Sequence, residues 1–503
     1  MRWLLVVLLL TACAPAPQPT AKAQPRVVRF AWPDAGMPTP FRVSTLGPDG
    51  LVLLSLVYDS LVWKDEHGLI PWLASGWDVS PDGREYTFRL RTDATWHDGQ
   101  ALSADDVVFS FEYYAKHPFR WQPTAVVESA TVGAPGQVTI RLRQPFAPFL
   151  DSIAGQVPII PRHVWSRVAD PERYDGPDAS VGSGPFKLAE YRAAEGAYRL
   201  LANPSYFAGT VAVQEFQQLN VPPETRIQAL QQRQLELVQS ADASVKDVVK
   251  NDPRLRVLET PPLSVVRLAL NTERAPLNRK EVRQAIAYAL DRARIASLVT
   301  RAPAVVGSPG VVPPETPWFN PRLPAYAFDP ERARALLGGQ TYTLELLADP
   351  SNREPELLQP MLQAVGISLE IKRLDGPGRT QLLREGNFQL ALVQHIGIGG
   401  DPDFLRRWSS GDESNDYAQG WTFRQPEFVQ LATRQATTLD PEQRKAIVFR
   451  MQEILADQLP TIPLYYRRFY WVYDSQAYTP MNTWGGLMDG VPFVQNKLSF
   501  LRG

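Results

Sequence analysis

The chain has 503 residues, of which 21% are charged and 44% hydrophobic, and its formal net charge is −1. Its length exceeds what one compact core holds, so we expect more than one domain, and its globular composition excludes a disordered chain. The near-zero net charge gives no reason to expect nucleic acid as a partner, because proteins that bind it usually carry a basic surplus.

The first 25 residues predict a secretion signal followed by a tether. A short basic start precedes an apolar run, Trp3–Leu10, which is too brief to span a bilayer. The sequence Leu10–Cys13 resembles a bacterial lipobox, and an Ala- and Pro-rich stretch of the extended kind follows it. We predict a signal peptide over 1–12 and a tether over 13–25, lipidated at Cys13. The alternative is a stray cysteine in an uncleaved apolar segment.

The most regular series of local signals lies in the first quarter of the chain. Pro81-Asp82-Gly83 has turn chemistry, and Tyr86–Arg91 alternates apolar and polar residues as a strand with one solvated face does. His97-Asp98-Gly99 reverses the chain again, and Ser103 and Asp106 have the spacing of a helix capping box. A turn, a strand, a second turn and a capped helix are therefore predicted in that order.

Strands and helices are predicted to alternate through the rest of the chain. The predicted strands are Val27–Trp32, Gln137–Leu142, Val265–Asn271, Leu390–Val393 and Leu464–Tyr466, and helices are predicted after caps at Asn278, Asp329 and Asp440. A further helix is predicted over Pro222–Val238, because Ile227, Leu230 and Leu237 recur at helical spacing.

Four phrases, in the same order along the chain, resemble one protein family. They are SPDGREYTFRLR with WHDGQALSADDVVFSF, then VGSGPFKL, LNTERAPLNRKEVRQAIAYALDRARI and FDPERARALL. These phrases resemble the bacterial extracytoplasmic solute-binding proteins of family 5, the substrate-binding lipoproteins of ABC importers for peptides, dipeptides and nickel. The resemblance runs through nearly the whole mature chain.

The resemblance implies an α/β fold of the periplasmic-binding-protein type, with two hinged lobes and an extra inserted domain, three domains in all. Domain I comprises 26–59, 180–266 and 478–503, the inserted domain II comprises 60–179, and domain III comprises 267–477. The two lobes would close on a ligand about two strand crossings between domains I and III.

The sequence carries no recognised motif of a catalytic site. The five histidines are scattered, and the sequence has no H-E-x-x-H, P-loop or dinucleotide motif. Gly182-Ser183-Gly184 lacks the spacing of a nucleophile elbow. The pairs Asp105/Asp106 and Asp401/Asp403 are interpreted as helix-start and loop carboxylates. We predict no enzyme activity, no cofactor and no metal site; a secreted hydrolase that uses Asp401 and Asp403 is the alternative from another class.

The most informative segment for binding is LALVQHIGIGGDPDF, residues 390–404. Its buried strand is followed by Gly397, Gly399 and Gly400, which let a ligand approach the backbone closely or simply allow a tight turn. The resemblance implies that this strand end pairs with an extended peptide through main-chain hydrogen bonds.

One position departs from the family pattern. Ile398 occupies the position at which dipeptide and oligopeptide binders carry an Asp for the ligand's ammonium group. Burying an ammonium without a carboxylate is costly, so either Asp401 or Asp403 substitutes for that Asp, or the ligand has no ammonium. Arg353 lies near the position of a carboxylate-pairing arginine in dipeptide binders, and a solvated surface arginine is its alternative interpretation.

Aromatic residues of domain III and the last crossing complete the candidate set, since they could stack on sugar rings or apolar side chains, or form lobe core. The predicted ligand-binding residues are Asp34, Arg353, Gln394, His395, Gly397, Ile398, Asp401, Asp403, Trp408, Tyr417, Trp421 and Trp484.

The resemblance also implies a role and partners. We expect a monomer, anchored through Cys13 to the cell membrane on its periplasmic side, that captures an oligopeptide-like solute between closing lobes and delivers it to ABC permease subunits. The alternative ligands are an oligosaccharide or another amine-free solute, favoured by Ile398 and the tryptophans, and a metal chelate, for which His395 is one isolated ligand.

Overall fold

The strands and helices are taken from a computed structural model that describes residues 26–43, 49–119, 121–122, 124–262, 264–302, 305–410, 423–481 and 495–501. The strands are β1 (Val27–Ala31), β2 (Val62–Lys64), β3 (Leu69–Pro71), β4 (Ala74–Val79), β5 (Glu85–Leu90), β6 (Val127–Val132), β7 (Gln137–Leu142), β8 (Phe186–Arg192), β9 (Ala197–Ala202), β10 (Glu215–Leu219), β11 (Leu237–Ser240), β12 (Leu255–Glu259), β13 (Ser264–Leu270), β14 (Val305–Val306), β15 (Tyr342–Ala348), β16 (Ile367–Arg373), β17 (Leu390–Ile396), β18 (Thr461–Arg467) and β19 (Tyr470–Asp474). The helices are α1 (Asp49–Val57), α2 (Ala104–Lys116), α3 (Arg162–Trp165), α4 (Arg226–Gln231), α5 (Val245–Val249), α6 (Lys280–Ala289), α7 (Arg292–Thr300), α8 (Pro330–Leu337), α9 (Glu354–Gln363), α10 (Gly376–Arg384), α11 (Phe404–Ser409), α12 (Pro426–Thr437) and α13 (Pro441–Gln458).

The larger sheets define two lobes. A seven-stranded sheet has the order β12-β19-β11-β1-β10-β9-β8, and a four-stranded sheet has the order β4-β5-β7-β6. One continuous hydrophobic core contains Phe216 of the first sheet and Phe88 of the second, so these two sheets form the first lobe. The second lobe is built on a six-stranded sheet of order β14-β18-β13-β17-β15-β16. Neighbouring residues Val265 and Val266 of β13 enter separate cores on its two faces, as the strand period of two requires.

The chain passes between the seven-stranded and six-stranded sheets at two short crossings. One runs from Glu259 to Ser264, and the other runs from Arg467 to Tyr470. Two short connections between otherwise separate sheets are the arrangement of a hinge. The crossings lie close to, and not at, the predicted limits of domain III, and the three predicted domain ranges stay a prediction.

Most predicted caps form, because they depend on residues only three positions apart. The Asp106 carboxylate accepts hydrogen bonds from the Ser103 N–H at 2.9 Å and the Ser103 hydroxyl at 3.0 Å. Asp329 and Asp440 cap α8 and α13 as predicted. The predicted cap at Asn278 is wrong: α6 begins one residue later, after Arg279, because the N–H groups of 278 and 279 already bond within the preceding turn.

The predicted helix over Pro222–Val238 is also wrong in its second half. The helix α4 ends at Gln231, Arg233 adopts a left-handed φ of 61°, and Leu237 and Val238 enter β11. β11 lies between β1 and β19 in the seven-stranded sheet, which buries both apolar side chains completely. Pairing with a strand on each side therefore outweighs the helical spacing of Ile227, Leu230 and Leu237.

A buried ion pair joins distant parts of the first lobe. Lys497 Nζ lies 2.6 Å from Asp59 Oδ1, and neither side chain is exposed. The same Asp59 oxygen accepts hydrogen bonds from Trp72 Nε1 at 2.7 Å and the Tyr206 hydroxyl at 3.0 Å, while Ser183 Oγ donates to the other oxygen at 3.0 Å. A charge can be buried when its hydrogen-bonding capacity is met in this way. The cluster therefore ties the C-terminal segment to the junction of the two sheets.

Replacing Lys497 by methionine is expected to lower the free energy of unfolding by about 3–5 kcal/mol, because the Asp59 carboxylate would stay buried without its cation. The shift of the urea midpoint and slope measures this loss. The matched control is Lys250→Met: the Lys250 side chain is 61% exposed and, within the described residues, is paired with Asp247, so the expected effect is within about 0.5 kcal/mol. Equal midpoints for the two variants would contradict the assigned role.

His97 connects the second predicted turn to the Gly-rich phrase at 182–184. Its backbone N–H donates to the Gly182 carbonyl at 2.7 Å, and its ring Nδ1 accepts from the Gly182 N–H at 3.2 Å. The ring Nε2 donates to the Gly184 carbonyl at 3.0 Å. Burial lowers the pKa of His97 from 6.5 to about 4, so the ring is neutral at neutral pH.

The buried neutral imidazole predicts a pH-dependent stability. Because the unfolded chain binds a proton at His97 near pH 6.5 and the folded chain only near pH 4, the unfolded state is favoured progressively between these values. The contribution is fully present above pH 6.5, and about 3 kcal/mol is lost as the pH falls through 4. Urea midpoints measured from pH 7 to 4 check this, and His97→Gln should flatten the profile. An unchanged pH profile in that variant would disprove the assignment.

Candidate functional site

The ends of three strands of the second lobe meet beside the two crossings. Ser264 of β13 pairs with Ile396 of β17 on one side and with Arg467 of β18 on the other. Gly397 follows β17 with a φ of 90°, a left-handed conformation that favours glycine, so the chain turns at once. Ile396 packs against the core of the first lobe. These strand ends therefore lie at the boundary between the two lobes.

One face of the strand ends carries a cluster of aromatic and basic side chains. The ring centroids of His395 and Trp408 are 4.2 Å apart, and Arg267 Cζ lies 5.1 Å from the Trp408 ring centroid. Burial and the Arg267 charge hold the pKa of His395 well below its usual value, so its ring is neutral. Burial lowers the pKa of Arg267 to about 9, which leaves it cationic at neutral pH. The prediction missed Arg267, although an arginine inside an apolar strand was a usable signal.

The opposite face carries a chain of hydrogen bonds that includes Gln394. Arg467 Nη1 donates to Gln394 Oε1 at 3.1 Å, and Arg467 Nη2 donates to the Tyr465 hydroxyl at 3.2 Å. The Tyr465 hydroxyl donates to Glu354 Oε1 at 2.6 Å, and Glu354 is buried at the start of α9. Sequence reasoning found Gln394 of β17 and missed the other three, because Tyr465 and Arg467 of β18 and Glu354 of α9 meet it only in the folded structure.

Arg353 is the residue before Glu354 in the sequence, and its side chain is exposed. Together with Arg301, whose Nη1 lies 3.3 Å from Asp242 Oδ2, it faces the first lobe. Partial burial raises the pKa of Asp242, but hydrogen bonds from Ser244 and the charges of Arg301 and Arg353 outweigh this and lower it. Arg353 therefore lies on the same lobe as Gln394, close enough to Asp242 of the first lobe for its charge to act on that carboxylate.

The carboxylates of Asp401 and Asp403 are engaged within the second lobe. Arg444 donates to both oxygens of Asp401, each at 2.6 Å. Asp403 accepts from Arg406 at 2.8 and 2.7 Å and from Gln435 Nε2 at 2.7 Å. Burial raises the pKa of Asp401, whereas the Arg406 charge keeps that of Asp403 low despite burial. Both carboxylates therefore connect the loop before α11 to α11, α12 and α13, and this geometry does not favour a general acid and base.

Two further predicted residues, Ile398 and Asp34, lie apart from Arg353 and Gln394. Ile398 is 1% exposed and belongs to the hydrophobic cluster that also contains Trp408. Asp34 is exposed in the first lobe, where it accepts hydrogen bonds from the hydroxyls of Tyr191 and Tyr198. Neither of them shares a described contact with Arg353 or Gln394.

Four predicted residues, Cys13, Tyr417, Trp421 and Trp484, lie outside the described residues. Within the part of the chain that is described, His, Cys, Asp and Glu form no group of three or more that could hold a metal ion. Every described helix also falls short of the length and apolar character needed to cross a membrane.

Comparison with known proteins places the chain among solute-binding proteins. The sequence model of the bacterial extracellular solute-binding proteins, family 5 (middle), matches residues 68–416. A probable di/tripeptide-binding protein 5 of Pseudomonas aeruginosa is 29% identical over 431 residues, covering 79% of this chain and 81% of that protein. A dipeptide-binding protein of Escherichia coli is 27% identical over 438 residues, covering 78% of this chain and 80% of that protein.

Solved structures agree on the fold. The periplasmic binding protein DppA from Helicobacter pylori, in complex with the peptide STSA, has a TM-score of 0.80 at 23% identity and covers 94% of this chain and 97% of its own. NikA from Brucella suis, in complex with Fe(III)-EDTA, has a TM-score of 0.80 at 24% identity and covers 93% and 99%. The predicted two-lobe α/β fold is confirmed. The predicted family is confirmed as well: this chain belongs to the bacterial extracellular solute-binding proteins, family 5, of ABC importers.

Proposed function

We propose that this protein captures a peptide-like solute outside the cytoplasm and delivers it to the permease subunits of an ABC importer. The observation that carries the proposal is the meeting of β13, β17 and β18 beside the two crossings, where Ser264, Gln394 and Arg467 present polar groups. Relatives named as di/tripeptide-binding proteins support a peptide as the solute. The protein acts as a monomer held to the membrane through lipidated Cys13, and it performs no catalysis.

The strand ends suit an extended ligand. Immediately after β17, the left-handed turn at Gly397 leaves backbone without a side chain. An extended peptide can add main-chain hydrogen bonds at such a point irrespective of its sequence. Closing the lobes about the crossings then adds contacts that exist only in the closed state, and these contacts shift the equilibrium towards closure.

Two arginines of the second lobe suit a carboxylate on the solute. Arg467 lies at the end of β18, 3.9 Å from the buried Glu354 carboxylate, and Arg353 is exposed. The planar fork of each guanidinium group matches a carboxylate. The carboxylates of Asp401 and Asp403 are ion-paired internally, and Ile398 is buried in the core. These observations favour, as the second candidate, a solute with an anionic group and no free amine.

Native mass spectrometry of the full chain carrying Cys13→Ser is expected to reveal a co-purified solute with the mass of a peptide. Adding a peptide pool to the solute-free protein should reduce its radius of gyration in small-angle scattering, because closure makes the particle more compact. A co-purified oligosaccharide would replace the peptide assignment. No bound solute and no compaction with any pool would contradict the proposed function.

The role of Arg467 can be measured with the co-purified solute. A hydrogen bond to a charged group contributes about 1.5–3 kcal/mol, so Arg467→Met should weaken binding by about tenfold to a hundredfold in calorimetric titration. Arg192→Met is the matched control and should leave the affinity unchanged, because Arg192 is a surface arginine of β8 whose ion-pair partner in the described part of the chain is Glu195. Equal affinities for the two variants would place the solute elsewhere.

The ion pairs of Asp401 and Asp403 predict that the binding affinity does not depend on a free amino group in the solute. The co-purified peptide and its N-acetylated form are expected to bind with affinities within about threefold of each other, because Asp401 and Asp403, the described carboxylates that follow Ile398, are already paired with arginines. Competition titration measures the ratio. Asp401→Asn should leave that ratio unchanged, whereas a large preference for the free amine that Asp401→Asn abolishes would contradict the internal pairing.

A further inference from the structure

The two lobes touch directly through backbone atoms away from the strand ends. The Ala147 N–H of the first lobe donates to the Ala436 carbonyl of the second lobe at 2.7 Å. Ala436 lies in the last turn of α12, whose final carbonyls lack partners inside the helix. Ala436 is 5% exposed and belongs to the hydrophobic core of the first lobe. A helix end of one lobe is thus bonded to, and buried by, the other lobe.

A second contact involves the first turn predicted from the sequence. Gly83 of the first lobe has a φ of +66°, and a Cβ at this position would overlap Leu439 Cδ1. The Leu439 side chain therefore lies on the Gly83 backbone, where glycine leaves it room. Leu439 itself is 41% exposed, although it is a large apolar residue. Its packing on Gly83 is a contact between lobes, with little contribution to the core of its own lobe.

Charges of the two lobes also face each other here. Asp151 of the first lobe forms an ion pair with Lys64. Burial lowers the pKa of Arg444, but the charges of Asp401, Asp403 and Asp151 outweigh burial and raise it. The Asp151 carboxylate of the first lobe therefore attracts Arg444, which forms an ion pair with Asp401 inside the second lobe.

We propose that these contacts form an interlobe latch, made of residues 80–83 and 147–151 in the first lobe and 436–444 in the second, that stabilises the closed state without solute. All of its contacts join protein to protein, so their free energy favours closure whether or not the cleft is filled. A fraction of the solute-free molecules is then closed, and a solute needs less differential affinity to complete the shift. The inference depends on the two-lobe fold and holds for any solute.

Hydrogen exchange of the unmodified, solute-free chain tests the latch at one atom. The Ala147 amide should be protected, because its hydrogen bond exists only when the lobes are closed. Leu439→Ser should accelerate its exchange by about tenfold, while the amides of β5 and β15 keep their protection and so show that both lobes remain folded. The matched control is Leu201→Ser, which changes a leucine of β9 that is 37% exposed. An unprotected Ala147 amide in the unmodified chain, or equal exchange in the two variants, would overturn the proposal.

Cross-linking gives a second, independent measurement. The chain has one native cysteine, so Ala147→Cys and Ala436→Cys can be introduced together with Cys13→Ser. The Ala147 nitrogen and the Ala436 carbonyl oxygen are 2.7 Å apart, so cysteines at the two positions lie within reach of a short bifunctional maleimide. We expect this reagent to join the two cysteines without added solute, and Leu439→Ser in this background to slow the cross-linking. Cysteines that each react with the reagent and yet stay unlinked would overturn the proposal.

Discussion

The first lobe depends on the buried pair of Asp59 and Lys497. Placing two charges in a core without exposure costs several kcal/mol per ion unless every polar atom finds a partner. Here the tyrosine, tryptophan and serine donors come from segments far apart in the chain, and Lys497 also lies 4.1 Å from the Trp63 ring centroid. The pair is satisfied only when these segments are assembled together. It therefore favours one specific arrangement of the two sheets of the first lobe over other compact arrangements.

Both crossings have one end in the first lobe, which is held together by one continuous core. The polypeptide passes between it and the six-stranded sheet at Glu259–Ser264 and Arg467–Tyr470, the two places about which the second lobe would turn as a unit. The ion pairs of Asp401 and Asp403 hold the loop before α11 against α12 and α13, which keeps the second lobe rigid as well. This arrangement assigns the proposed hinge to two short segments next to the strand ends.

The carboxylates show why residue type alone does not assign a role. Asp401 and Asp403 follow a glycine-rich strand exit, which suits both a ligand site and a structural ion pair. Arg444 and Arg406 decide between these two interpretations, because a bidentate arginine satisfies the carboxylate oxygens that a ligand would otherwise use. The proposal of an anionic group on the solute rests instead on the guanidinium groups of Arg353 and Arg467.

Local structure was largely determined by the sequence itself. Residues within a few positions of each other determine the turn at Pro81–Gly83, the caps at Asp329 and Asp440 and the strand at Leu390–Val393. The phrases that resemble the family consist of the same kind of local sequence pattern. Only the tertiary structure decided that Leu237 belongs to a strand, because the flanking strands β1 and β19 come from the two ends of the chain.

The same reason applies to the candidate site and to the contacts between lobes. Lys497 is an ordinary lysine in the sequence, and its partner Asp59 lies 438 positions away. Arg467 and Gln394 meet because two strands pair with a third, and Leu439 meets Gly83 because the lobes close. Periodicity and capping are properties of neighbouring residues, so the sequence determined the elements and the family. Long-range pairing determined which charges are buried, which are ion-paired and which remain at the cleft.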